Sequence, residues 1–138
     1  MNNSFAFEKE GQVSVWFSVH PYQEVPDSYF DEDEQGLCAW AKNFKIGAYD
    51  HDCLETNGAE RGVIAVDEAV GQCSYSRSYV DKVVHKIHKM GAEKVTWVIL
   101  LFDYEYRPKK TKVYKDEYVK FVGAYPFDDT AGNLFEID

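Results

Sequence analysis

Four consecutive residues, Asp50-His51-Asp52-Cys53, bring two carboxylates, an imidazole and a thiol together. Metal centres and acid–base pairs are built from these types. In an extended segment neighbours point to opposite sides, so only Asp50 with Asp52, or His51 with Cys53, can converge. A second ligand pair at a metal-binding spacing is missing: Cys38 and Cys73 stand alone, with no CxxC, HxxxH or HExxH. His85 and His88 are three apart and share a helical face, but Lys82, Lys86 and Lys89 surround them and oppose a cation. There is no GxSxG elbow, phosphate-cradling glycine loop, dinucleotide fingerprint or calcium loop. The simpler reading is a polar loop whose acids cap backbone or face water, with no metal, no cofactor and no catalytic residue. A small metal-dependent hydrolase using Asp50, His51, Asp52 and His85 or His88 remains the alternative.

Charge is distributed unevenly. Residues 1–75 carry 14 Asp and Glu against 4 Lys and Arg, a balance of -10. Residues 76–138 carry 10 against 11, a balance of +1, and the two give the whole chain's -9. The densest acidic stretches are Asp27 to Glu34 and Tyr49 to Glu55. A one-sided acidic surface steers a domain toward a basic partner and away from nucleic acid. The plain alternative is solubility alone.

Lys109, Lys110 and Lys112 lie near Tyr104, Tyr106 and Tyr114, a mixture of base and aromatic that some nucleic-acid surfaces use. A net charge of -9 argues against it, and a lysine-rich tip is an ordinary guard for a sheet edge. Ten tyrosines and three tryptophans exceed what a core of this size needs, and tyrosine is favoured at interfaces. Tyr22, Tyr29, Phe30 and Tyr49 are interleaved with the acidic runs. Acids for steering and aromatics for anchoring is how an inhibitor of a basic enzyme would be built. The candidate contact residues are Tyr29, Asp31, Glu32, Asp33, Glu34, Tyr49, Asp50, His51, Asp52 and Glu55.

These residues need a scaffold. At 138 residues and 45% apolar, the chain is long and hydrophobic enough for one packed domain, with a core over about 12–125 and short tails. No run approaches ~18 apolar residues, so no membrane span is expected. Met1 to Phe5 lacks the pattern of a signal peptide, and three scattered cysteines suit reduced thiols, so a cytoplasmic location is expected. Alternation of Val13, Val15 and Phe17 with Gln12, Ser14, Trp16 and Ser18 predicts a strand ending at His20-Pro21. Leu37, Trp40, Ala41 and Phe44 predict a helix over about 33–46, capped by Asp31 or Asp33 and stopped at Gly47. Ala48 to Leu54 reads as an edge strand or extended loop, Thr56-Asn57-Gly58 as a turn, and Val66 to Gly71 as one or two helical turns. Val80, Val83, Val84 and Ile87 predict a helix within 76–90, with Ser78 and Asp81 as a capping box and Gly91 as its stop. Val95 to Phe102 reads as a buried strand and Tyr118 to Tyr125 as the last one, the two pairing across Arg107–Glu117. The expected class is α+β: a small antiparallel or mixed sheet with two or more helices packed on one face.

The strand Val13 to Phe17, the phrase Asn43-Phe44-Lys45-Ile46 leading into Tyr49 to Glu55, and the strand Val98 to Tyr106 followed by Val119 to Gly123 together resemble the immunity protein 22 family. The resemblance runs from about residue 12 to 125 in the same order. It implies a small cytosolic bacterial antitoxin, encoded beside a toxin of a polymorphic, contact-dependent or secreted system, that binds the toxin domain and blocks its active site or substrate access. The family offers no catalytic residues to transfer, and only the Tyr49–Glu55 motif carries over by position. The chain departs from the family pattern by a longer acidic loop, Gln23 to Glu34. The implied partner is a toxin with a basic active-site surface, a nuclease being one candidate, with no nucleic acid and no membrane bound directly. A monomer and a homodimer fit equally, and a plain adaptor domain remains a third reading.

Overall fold

The computed structural model describes residues 7–34, 36–47, 49–59 and 61–135. Its frame is a four-stranded antiparallel sheet in the order β2-β5-β1-β6, formed by Leu54–Gly58, Trp97–Tyr104, Glu8–Ser18 and Lys120–Pro126. A two-stranded ladder joins β3 (Ile64–Ala65) to β4 (Lys94–Val95). The α+β class expected from the sequence is the one observed.

Both faces of the sheet are covered. On one, α2 (Val66–Gly71) and α3 (Val80–Lys89) pack over Val13, Val15, Phe17, Val98 and Leu100. The α3 stripe is the expected one, with Val80, Val83 and Ile87 buried, and each such side chain contributes about 1.5–3 kcal/mol by leaving water. On the other face, Trp16, Ile99 and Leu101 pack with Trp40, Phe44, Tyr29 and Tyr106. Both phases of β1 are therefore buried from Val13 to Ser18. Its polar Ser14 is fully buried, where its hydroxyl donates to the Tyr104 carbonyl and accepts from the Tyr106 amide.

Five local expectations need correction. The helix expected over about 33–46 is only α1 (Ala39–Asn43). Asp33 closes a turn instead: its side chain accepts from the Leu37 amide, its carbonyl accepts from the Gly36 amide, and Gly36 sits at φ +80. That helix stops at Lys45, with φ +58, and not at Gly47. Thr56-Asn57-Gly58 is the body of β2, paired with Ile99, Val98 and Trp97. The expected β5–β6 pairing is absent, because β1 lies between the two strands. Finally, the Ser78–Asp81 capping box is not made: the Ser78 hydroxyl donates to the Tyr75 carbonyl and accepts from the Asp128 amide.

Candidate functional site

The start of β1, the end of β5 and the segment leading into β2 meet at one end of the sheet. Pairing of β1 with β5 is regular from Ser18↔Trp97 to Val13↔Phe102, then shifts before Glu8↔Tyr104. This bulge has two residues at positive φ, Gly11 at +84 and Asp103 at +58. Asp tolerates that region better than most residues, and the Asp103 carboxylate is held there by the Gly11 amide at 3.0 Å. Bulges bend a strand and re-aim its side chains.

Here the bend opens a cavity of about 550 Å³ with a carboxylate rim of Glu10, Asp52, Glu55, Asp103, Asp128 and Asp129. Its lining includes a ring cluster in which Phe102 meets Phe127 edge-on at 5.1 Å and Tyr75 stacks on Phe127 at 5.6 Å. A second cavity of about 480 Å³ shares Glu10, Cys53, Phe102 and Asp103 and adds Glu8 and Asp50. Lys9, the one base among its described lining residues, is engaged by Glu105 at 3.3 Å, which also takes Arg107 at 2.8 Å. Those partners, Arg107 first, hold the Glu105 carboxyl below its ordinary pKa.

The ten candidate contact residues divide into surface and support. Asp50 caps the turn His51–Cys53 by accepting from the Asp52 amide, which leaves both carboxylates exposed at the cavities. His51 Nδ1 lies 2.8 Å from the Glu32 carboxylate, and its ring packs on Tyr49 at 4.4 Å. Through that contact the acidic loop 31–34 adjoins the 50–52 segment. Asp31, Glu32 and Glu34 are exposed, whereas Asp33 is half-buried and paired with Lys42. Glu55 is a brace: its two oxygens accept from the Ser74 amide at 2.7 Å and the Ser74 hydroxyl at 2.8 Å.

Tyr29 and Tyr49 are only 1% and 8% exposed, so in the free protein they prop the surface from below. The Tyr29 hydroxyl donates to Asp116 at 2.5 Å, and burial followed by that carboxylate pushes its pKa far up. Much of the aromatic surplus is spent this way. Tyr79, Tyr104 and Tyr106 are also buried, the last two with pKa values pushed up to about 12 by burial. Of the tyrosines beside the basic tip, only Tyr114 is exposed.

The alternative catalytic constellation is not assembled. His85 and His88 are exposed on α3 and line a different cavity from Asp50 and Asp52. Among the described residues no three His, Cys, Asp or Glu side chains converge to hold a metal ion. Cys38 and Cys73 are buried free thiols, and Cys53 is partly covered. Burial first, then Asp50, raises the Cys53 pKa, and burial first, then Glu55, raises that of Cys73. Both shifts disfavour the thiolate a nucleophile needs.

Sequence reasoning reached Asp50, Asp52 and Glu55 but missed Glu10, Asp103, Asp128 and Asp129. The one local signal was the break in hydrophobic alternation at Gly11 and at Asp103.

Fold and site together define an α+β protein whose concave end is walled by carboxylates over an aromatic lining. A family model described as Immunity protein 22 matches residues 13–128, and the chain belongs to that family. No curated protein and no solved structure matches it. The family assigns a toxin-neutralising role. Among the described residues no helix is long and apolar enough to cross a membrane.

Proposed function

We propose that this chain is a non-catalytic cytoplasmic inhibitor that binds a cognate bacterial toxin domain, with the acid-rimmed end of its sheet against a basic surface of the toxin. Family membership supports the toxin as partner. The observation that carries the chemistry is the carboxylate rim, which has a single base among its described lining residues, and that base is already paired. A lysine or arginine entering the cavity meets carboxylates at the rim and the aromatic side chains of its lining. Nuclease toxins are one fitting class, because an enzyme that holds phosphates presents such cations. Pairs that become well desolvated would couple by several kcal/mol, and pairs at the rim by about 1 kcal/mol or less.

The acidic loop 31–34 extends the same surface through Glu32 and His51 and supplies long-range steering. The test is co-purification with the toxin encoded beside this protein, followed by rescue of growth on co-expression. A one-to-one complex with rescue is the expected result. Absence of both refutes the proposal.

A further inference from the structure

The two edges of the main sheet differ in a way that bears on how a partner docks. β6 is guarded. It carries Lys120 and Pro126, its pairing with β1 is interrupted by a register shift, and the Phe121 amide is taken by the Tyr114 carbonyl beside a Lys115↔Lys120 bridge. Such devices keep an edge from accepting another strand.

β2, at the opposite edge, has none of them. Leu54–Gly58 contains no lysine and no proline, and its register with β5 is unbroken. The Ala59 amide donates to the Thr96 carbonyl, so by alternation Asn57 and Glu55 also face β5. The N–H and C=O groups of Thr56 and Gly58 then point outward, where no described residue pairs with them, and both residues are exposed. Beside this edge runs a groove of about 580 Å³ lined by Gln23, Phe30, Arg61 and Trp97. Trp97 is 4% exposed, and its Nε1 makes no hydrogen bond.

We infer that the β2 edge accepts an extended segment of the toxin as a fifth strand, pairing with Thr56 and Gly58 while its side chains on the groove side pack against Phe30 and Trp97. This rests on the toxin-binding reading above. A second copy of this chain is the weaker occupant, because each copy carries -9, Asp50 and Asp52 lead into β2, and β2 itself carries Glu55. A basic toxin segment lacks that repulsion, and main-chain pairing supplies affinity without a particular sequence.

The decisive experiment uses the full chain with a catalytically inactivated form of the toxin domain encoded beside it. Hydrogen exchange at the Thr56 and Gly58 amides is read by NMR before and after binding, and should slow at least tenfold in the complex. Thr56→Pro removes an outward donor without touching the β5 ladder, as proline is tolerated at such edge positions, and should raise Kd at least tenfold. Thr56→Val keeps the donor and should bind within twofold of wild type. A complex that forms while both amides exchange as in the free protein overturns the edge assignment and spares the toxin reading. No complex with wild type refutes both. A homodimer made monomeric by Thr56→Pro gives the edge to a second copy and also overturns the inference. If Thr56→Pro does not fold, the wild-type amides still decide.

Discussion

Removing the Asp116 carboxylate should loosen the whole acidic loop, because four hydrogen bonds end on it. Oδ2 accepts from the Tyr29 hydroxyl at 2.5 Å and from Asn43 Nδ2 at 3.0 Å. Oδ1 accepts from the amides of Tyr118 at 2.8 Å and Val119 at 2.9 Å. Tyr29 is 1% exposed, so in Asp116→Ala its hydroxyl is left without an acceptor, at about 1–3 kcal/mol. Asn43 is exposed and can turn to water, so it adds little. The two amides together add about 1–2 kcal/mol, which makes the expected loss roughly 2–5 kcal/mol. Tyr29→Phe should cost only about 1 kcal/mol, since Asp116 keeps three donors. Urea unfolding followed by tryptophan fluorescence gives both values, and a double-mutant cycle isolates the pair. Hydrogen exchange at residues 31–34 should accelerate in Asp116→Ala, because Tyr29 pins the loop from below. A loss under about 1 kcal/mol, or a cycle showing no coupling, refutes this account of how the acidic surface is held.

Gly58→Ala should destabilise by about 1–3 kcal/mol in the same urea assay, because an added Cβ would sit 2.3 Å from the Thr96 carbonyl oxygen and 2.4 Å from Trp97 Cβ. The stability that Tyr104 and Tyr106 contribute should be level below about pH 10 and be lost as pH rises toward 12: both are raised to about 12, so the unfolded chain ionises first and gains. Tyrosinate absorbance at 295 nm should therefore rise together with unfolding, and ionisation of all tyrosines near pH 10 in folded protein would contradict this. Thiol labelling of the native protein at pH 8 should reach only Cys53, and slowly, with Cys38 and Cys73 reacting on unfolding. Replacing the acids at 31–34 by Ser should lower the toxin association rate and its salt dependence; an unchanged rate across a salt series would remove the steering role.

Much of the frame could be read from residue patterns. The α3 stripe and the valines of β1 follow the periods of helix and strand, and those positions are buried as expected. What misled were residues with two uses. Asp33 and Gly36 suit a helix start, yet here they close a turn that shortens the helix to Ala39–Asn43. Asn57-Gly58 has turn chemistry, but Gly58 is required because β2 lies against Trp97 too closely for a side chain. Trp16 on the polar phase of β1 was the clue that the second face is also covered, and local alternation could not say by what.

The site divides along the same line. Asp50 and Asp52 are neighbours in the chain, so their grouping was legible. Glu10, Asp103 and Asp128 join them only because β1 pairs with both β5 and β6, a non-local arrangement that no window of sequence contains. The aromatic surplus had a sharper limit. Composition counts tyrosines but does not show which are buried, and Tyr29 and Tyr49 turn out to support the surface they were expected to decorate.

The most direct test of the central claim is a titration of the toxin's activity with this protein at two ionic strengths. Inhibition should be complete at one equivalent, and association should slow at the higher salt. Replacing Asp52, Asp103 and Asp128 together by Asn should weaken inhibition while leaving the protein folded. Full toxin activity at excess protein, or inhibition unaffected by both salt and those substitutions, would contradict the account.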